Sequence, residues 1–480
     1  MSAIHSDRYR TFAVIYLSAI YQNAVPPCQP DLAERNVNRQ IMKVAIVHDY
    51  LMQMGGAEKV VEVLHSLFPN APIYTSAYDR EVMPAHYRDW EIHTTFLQRL
   101  PWKRKTHRAA LLLYPAAFES FDLSGFDLVI SSSSSFAKGI ITQPDTVHVC
   151  YTHAPMRFAW TPCSYMKEER VSMMTRTLLA PVLHYLRTWD ALAAMRVDYY
   201  LANSRTVAQR IRKFYRRDCE VVHPPVETTR FQISPEIDDY YLMVTRLAPY
   251  KRLDLAVEAC TRLNRPLKIV GSGRYARELK KIAGPTIEFL GRVSDQELPG
   301  LLARAKAYVM PGEEDFGIAP VEANASGRPV IAFAAGGALD SQIDGVTGVF
   351  FEEPTVESLI DAMKRADAID FDPRAIRAHA EKFDTECFKI HIMRVIEKVM
   401  KAKGLEKAVP TQNNGASQHH STVAMESLNG ATKNGSATNG SSVNGNSANG
   451  SCTNGISVNG KPSNGSVVGS ETYRKVSADD

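Results

Sequence analysis

Ala307-Tyr-Val-Met-Pro-Gly-Glu-Glu-Asp-Phe-Gly-Ile-Ala-Pro-Val-Glu322 compresses a strand, a turn and the start of a helix into one short stretch. Ala307–Met310 is a buried-strand run closed by Pro311-Gly312. A Gly-containing loop turns the chain, and a helix begins near Pro320, because a proline in the first helical turn gives up an N–H that has no partner anyway. The backbone N–H groups around Phe316, Gly317 and Ile318 then point out of the turn as a ready anion site. Glu314 and Glu322 lie at opposite ends of the turn, spaced to grip two parts of one polar ligand. A solvated loop and a solvated helix face explain the two acids equally well on this stretch alone.

Working outward, the same strand–helix unit recurs. After the stiff connector Val222-His-Pro-Pro-Val226, strands are predicted at Tyr240–Thr245, Leu267–Val270, Ile287–Leu290, Ala307–Met310 and Val330–Ala332. Helices are predicted at Asp254–Leu263, Tyr275–Ala283, Asp295–Arg304, Val321–Ser326, Val356–Ala366 and about Thr385–Lys401. Before the connector, Lys43–His48, Ile73–Ser76, Phe126–Ser131, Val147–Thr152 and Tyr199–Ala202 read as strands, with helices such as Ala57–Leu67 and Arg205–Tyr215 between them. Such alternation specifies α/β architecture with parallel, doubly wound sheets. Two halves in series, 42–230 and 231–384, predict a ligand in the crevice at the carboxyl ends of their strands.

Composition narrows the class. The 480 residues are 45% apolar and 22% charged, too many for one core and ordinary for a globular chain. A net charge of +4 lacks the concentrated basic footprint of a nucleic-acid binder. The cysteines (Cys28, Cys150, Cys163, Cys219, Cys260, Cys387, Cys452) are scattered and never form C-x-x-C, which predicts reduced thiols in a cytoplasmic protein. No apolar run is long enough to span a bilayer, and Thr11–Val25 lacks a signal-peptide cleavage site. Residues 1–41 are expected to be a poorly ordered extension ahead of a domain starting at Met42. From 408 to 480 the chain is low in complexity, with Asn-Gly recurring from Asn429 through Asn464, and is expected to be disordered.

Further chemistry falls on the loops that follow strands. Arg246 and Lys251 lie in the loop after Tyr240–Thr245; a planar fork and a compact ammonium suit a diphosphate. Gly55-Gly56-Ala-Glu58 follows the first strand and opens a helix, where paired glycines let a backbone approach a phosphate or sugar. This is not the G-x-G-x-x-G fingerprint. Gly271-Ser-Gly273 reads as a tight turn. His153, in Tyr151-Thr-His-Ala-Pro-Met-Arg-Phe-Ala-Trp160, stands at the carboxyl end of a strand in the first half; Phe158 and Trp160 either stack on a sugar or fill core. Ser131–Ser135 lacks the nucleophile elbow and is not read as catalytic. Asp370-Phe-Asp372 matches a D-x-D metal pattern, yet Asp372-Pro373 reads as an N-cap followed by proline at the first helical position. No metal cluster is expected.

Taken in order, these segments resemble family 4 (group 1) retaining glycosyltransferases of the GT-B fold, in which two Rossmann-like domains face across a cleft. The resemblance runs from about Met42 to Lys403. It rests on Gly55-Gly-Ala-Glu58, the Arg246/Lys251 loop, the pair Glu314/Glu322, Gly336-Gly-Ala-Leu-Asp340 and Asp344-Gly-Val-Thr-Gly348. Thr245 and Asp340 depart from it, where Gly and Glu are usual. The resemblance implies that 42–230 is the acceptor domain, that 231–384 binds the donor, and that 385–407 crosses back to the first. It further implies that Glu322 holds the donor ribose, Arg246 and Lys251 the diphosphate, and Glu314 with the Phe316–Gly317–Ile318 amides the transferred sugar and β-phosphate. Gly55 and Gly56 would approach the donor and His153 would lie near the anomeric carbon.

The stretch Cys150–Trp160 looks like bacterial polysaccharide mannosyltransferases, which points to GDP-mannose as co-substrate, no metal, and a growing glycan or lipid-linked acceptor. The basic helix Arg205–Arg217 suggests peripheral contact with the inner face of the plasma membrane, against the plainer reading of a solvated face. Two other functions share the architecture: a sugar-nucleotide epimerase and a catalytically silent sugar-nucleotide-binding scaffold.

Overall fold

The computed structural model describes residues 42–99, 110–162 and 173–405. The extension 1–41, the Asn-Gly tail 408–480 and Cys28, Cys163 and Cys452 lie outside the described residues.

Strands β1 (Val44–His48), β2 (Ile73–Thr75), β3 (Ile92–Thr94), β4 (Leu128–Ser133), β5 (Val147–Thr152), β6 (Tyr199–Ala202) and β7 (Cys219–Val221) form one parallel sheet. Its order is β3-β2-β1-β4-β5-β6-β7. Strands β8 (Tyr241–Val244), β9 (Leu267–Val270), β10 (Ile287–Gly291), β11 (Ala307–Met310), β12 (Val330–Phe333) and β13 (Gly348–Phe351) form a second, ordered β10-β9-β8-β11-β12-β13. Both are doubly wound and Rossmann-like, as the alternation implies. Winding reverses between β1 and β4 in the first sheet and between β8 and β11 in the second, so each sheet has one crevice at its carboxyl edge. Central strands are buried on both faces: all five residues of Val44–His48 are covered.

The strands absent from the sequence reading, β3, β7 and β13, all lie at sheet edges. Ile-His-Thr and Cys-Glu-Val are half-covered and mix polar with apolar residues, so neither gives a continuous apolar run. The third opens on Gly348, where a Cβ would stand 1.9 Å from the Val330 carbonyl oxygen, so only glycine fits beside β12. In the first sheet β4 extends further into the serines than the pattern suggested, because Ser133 still pairs with Thr152 of β5.

The chain passes between the halves twice, side by side. Val226 N–H donates to the Phe383 carbonyl at 2.9 Å, and Thr385 N–H returns a bond to the Val226 carbonyl at 3.1 Å. Asp384 caps the last helix, Thr385–Ala402, and also accepts from the Thr228 hydroxyl at 2.5 Å. Phe388, Ile392, Val395, Ile396 and Val399 of that helix pack among Val44, Ile46, Val60 and Leu64 in the first half's core. The helix Thr385–Ala402 thus completes the core of the first half.

Candidate functional site

The loops at the second sheet's reversal point are drawn together by missing side chains. A Cβ on Gly312 would meet the Lys251 backbone at 2.7 Å, one on Gly336 the Glu314 carbonyl at 2.2 Å, and one on Gly337 the Phe316 backbone at 2.2 Å. Gly271 and Gly273 serve the same end, pressing against the carbonyls of Thr245 and Leu247. This packing stacks the loop after β8 on the loop after β11, and Lys251 Nζ pairs with Glu314 Oε1 as a result. Arg246 is exposed on the same loop, its guanidinium donating to Tyr250 OH at 3.1 Å. Phe316 is buried and stacks on His223 (5.3 Å between ring centres), so its ring anchors the turn. The helix Ile318–Ala325 starts after Gly317, whose φ of +89° suits only glycine, and no side chain caps it. Its first-turn amides therefore have no side-chain cap as partner.

Glu322 sits further along this helix, 5% exposed, with its carboxylate accepting from Lys59 Nζ at 2.9 Å. Lys59 belongs to the helix Gly56–Leu67 of the first half, so this bond joins the two halves. Gly56 makes the approach possible: a Cβ there would lie 2.9 Å from Ile318 Cδ1. Gly56 is thus placed against the start of the helix Ile318–Ala325 in the opposite half, while a Cβ on Gly55 would meet only Glu58 of its own helix, at 3.1 Å.

Alternation along an extended loop explains three neighbouring acids. Glu314 faces Lys251, whereas Glu313 and Asp315 turn the other way to Arg210, Glu313 at 2.8 Å. Arg157 approaches Asp315 at 3.9 Å, and Asp340 accepts from Arg205 Nε at 2.8 Å. Arginines of the first half therefore clasp both loops around Glu314. Two of them, Arg205 and Arg210, come from the basic helix read as a lipid-facing candidate; both are paired with acids of the second half, Arg205 while remaining exposed. Arg212, Lys213 and Arg216 remain exposed.

In the first half the serine run is a scaffold. Asp49, buried at the end of β1, accepts from the amides of Ser134, Ser135, Phe136 and Ala137 at 2.5, 3.0, 2.6 and 2.8 Å. Ser131 Oγ bonds His148 Nε2 at 2.8 Å, and Ser132 Oγ bonds His153 Nε2 at 2.8 Å. Burial, with the positive charge of His48 adding to it, pulls the pKa of His153 down to about 3. Burial likewise takes His148 down to about 4. His48 goes the other way: burial opposes its charge, but the Glu58 carboxylate 3.8 Å from Nε2, helped by Asp49, outweighs it and the pKa rises. Lys138 and Asp190 form a fully buried ion pair, and Asp190 also accepts from Trp160 Nε1 (2.6 Å) and Tyr215 OH (2.9 Å). Trp160 is therefore a prop, stacked on Phe214 with 4.9 Å between ring centres. Asp372 accepts from Arg374 N–H at 2.9 Å and caps the helix Pro373–Ala380. Among the described residues no three His, Cys, Asp or Glu side chains cluster for a metal.

Residues 54–230 match the model described as Glycosyltransferase Family 4, and residues 226–382 match that described as Glycosyl transferases group 1. The chain belongs to the family 4, group 1 glycosyltransferases. One relative in the family is the GDP-mannose-dependent monoacylated alpha-(1-6)-phosphatidylinositol monomannoside mannosyltransferase of Corynebacterium glutamicum. It is 35% identical over 131 residues, which are 24% of this chain and 34% of that protein. The GDP-mannose-dependent alpha-(1-6)-phosphatidylinositol monomannoside mannosyltransferase of Mycolicibacterium smegmatis is 30% identical over 174 residues, 30% of this chain and 46% of the relative. The chain thus spans between a third and a half of the length of these curated relatives. Among solved structures, Anabaena HepE in complex with UDP superposes with a TM-score of 0.56 at 16% identity, over 74% of this chain and 100% of that one. Sucrose-phosphate synthase of Thermosynechococcus elongatus gives 0.59 at 17%, over 75% and 100%. These likenesses establish the GT-B fold.

Within that family frame, the residues singled out from sequence in the second half (Arg246, Lys251, Glu314, Phe316, Gly317, Ile318, Glu322) share one reversal point. Gly56 reaches it from across the halves, with Gly55 directly before Gly56 in the chain, while His153 lies at the carboxyl end of β5. Sequence reasoning passed over Lys59, His48, Asp49 and the arginine clasp. Lys59 directly follows the quoted Gly-Gly-Ala-Glu and was within sight; the others depend on contacts between residues far apart in the chain.

Proposed function

We propose that this protein is a retaining glycosyltransferase that moves mannose from GDP-mannose to a growing glycan or lipid-linked acceptor, in cell-surface polysaccharide synthesis at the cytoplasmic side of the plasma membrane. The observation that carries the reading is the second sheet's reversal point. There Arg246, Lys251 and a helix entry converge between two acids, Glu314 and Glu322, with the first half reaching Glu322 through Lys59. Cations and aligned amides suit a pyrophosphate, and the carboxylates suit sugar hydroxyls on either side of it. In this reading Glu322 holds the ribose and Glu314 the transferred sugar.

As the C1–O bond to the diphosphate loosens, negative charge grows on the leaving oxygen, and Arg246, Lys251 and the Phe316–Ile318 amides stabilise it. The acceptor hydroxyl attacks from the same face and its proton passes to the departing phosphate. Glu314 is already committed to Lys251, so it binds and orients instead of acting as a glycosidase nucleophile. The printed donors of the two bacterial relatives support GDP-mannose.

Turnover measured against a panel of nucleotide sugars tests this. GDP-mannose is expected to be consumed with transfer, and Glu314→Gln and His153→Ala to lose turnover while still binding donor. Transfer from UDP-glucose with GDP-mannose ignored would remove the donor assignment; donor binding with no turnover toward any acceptor would favour a binding scaffold.

A further inference from the structure

Ser132 is fully covered, and its hydroxyl stands between two imidazoles. On one side His48 Nδ1 lies 3.0 Å from the Ser132 carbonyl oxygen and 3.2 Å from Ser132 Oγ. A carbonyl cannot donate, so Nδ1 of His48 carries the proton and points at both oxygens. On the other side Ser132 Oγ is 2.8 Å from His153 Nε2. If that nitrogen carried a proton, the serine would accept from both rings and its own hydrogen would be buried without an acceptor, at a cost of about 1–3 kcal/mol. The satisfied arrangement is the opposite one: Ser132 donates to Nε2, and His153 keeps its proton on Nδ1.

We infer that Ser132, held in orientation by His48, is a positioning residue that locks His153 as the neutral Nδ1–H tautomer, so that His153 offers the sugar a hydrogen-bond donor. Nδ1 has no partner among the described residues and is not among their buried polar atoms left unpaired, so it is the accessible edge of the ring. Glu58 anchors the far end of the chain, 3.8 Å from His48 Nε2. Burial of the ring, and secondarily the neighbouring His48, keep His153 from protonating. An imidazole locked this way cannot serve as the general base: its lone pair is engaged by Ser132, and its free edge only donates. Its fitting partner is a hydroxyl oxygen of the transferred hexose. This rests on the donor-site reading above for the identity of the ligand, but the tautomer itself does not.

Histidine labelled with 15N separates the two. The chain has 14 histidines, and the His153→Asn variant identifies the His153 signals by their loss. In the wild-type protein His153 is expected to show a protonated, pyrrole-type Nδ1 and a pyridine-type Nε2, unchanged down to about pH 5, well below the usual histidine range. Ser132→Ala should abolish that tautomer's dominance and lower transfer about ten-fold, the worth of one oriented hydrogen bond. Ser132→Thr, which keeps the hydroxyl, should restore both. A proton on Nε2, a titration near pH 6.5, or a Ser132→Ala spectrum like wild type would overturn the inference. A protein that transfers no sugar but shows the expected nitrogen pattern would instead remove the proposed function and leave the tautomer standing.

Discussion

Replacing Asp190 with asparagine tests how the first half holds its site in place. Asp190 is fully buried and accepts from Lys138, Trp160 and Tyr215. Lys138 also donates to the Ser135 carbonyl at 2.8 Å, so the pair ties the serine loop to the helices Met173–Met195 and Arg205–Tyr215. Neutralising the acid leaves a buried ammonium without a counter-charge, which costs about 3–5 kcal/mol. Against a typical total stability of about 5–15 kcal/mol this is severe. With a urea m-value of about 2.5 kcal/mol/M, the midpoint should fall by roughly 1–2 M. The four tryptophans, Trp90, Trp102, Trp160 and Trp189, all precede the connector, so fluorescence excited at the indole band follows the first half alone. Adding Lys138→Met to Asp190→Asn removes both charges and should recover about 1–3 kcal/mol, a coupling of the kind expected for residues in one network. A loss below about 1 kcal/mol for Asp190→Asn alone would refute the reasoning.

Glu322→Gln removes a charged acceptor from the proposed ribose site and should weaken nucleotide binding about 10–100-fold by calorimetry, the worth of about 1.5–3 kcal/mol. Arg210→Ala and Asp315→Asn, combined in a double-mutant cycle on urea stability, should couple by about 1 kcal/mol at low salt and by less in high salt, since both groups are partly exposed; zero coupling would deny the clasp. His148 binds its proton near pH 6.5 when unfolded and near pH 4 when folded. Its share of stability should therefore be unaffected above about pH 7 and fall by about 2–3 kcal/mol as pH drops from 6.5 to 4.5, beside a comparable share from His153, whose pKa is also depressed. His148→Gln should remove its own share of that slope and leave that of His153, and an undiminished slope in the variant would contradict the reading.

The fold was legible wherever burial on both faces leaves an apolar run. Val44–His48, Val147–Thr152 and Ala307–Met310 stand out for that reason, and each is flanked by Gly, Pro or polar residues. Of the edge strands, β3 and β7 were hidden because they are three residues long and only half-covered, and β13 because it opens on a glycine, whereas β10 was readable. Asp372 was readable as a cap, since Asp-Pro before a helical pattern carries its own mechanism. At the site, loops following strands are a local feature, so Arg246, Lys251, Glu314 and Glu322 could be picked out. What each side chain faces is not local. Glu313, Glu314 and Asp315 look alike in sequence, and extended backbone sends the middle one to Lys251 and its neighbours to Arg210. The serine run likewise gave no hint that its hydroxyls would orient two histidines, because His148 and His153 reach it only through the pairing of β4 with β5.

The central claim is that Arg246 and Lys251 receive a diphosphate at the second sheet's reversal point. Titrating GDP into the wild-type protein and into an Arg246→Ala/Lys251→Ala variant, with circular dichroism to verify folding, addresses it directly. Loss of two charge-assisted contacts should weaken affinity by about 100-fold or more, and equal affinity for the two folded proteins would contradict the account.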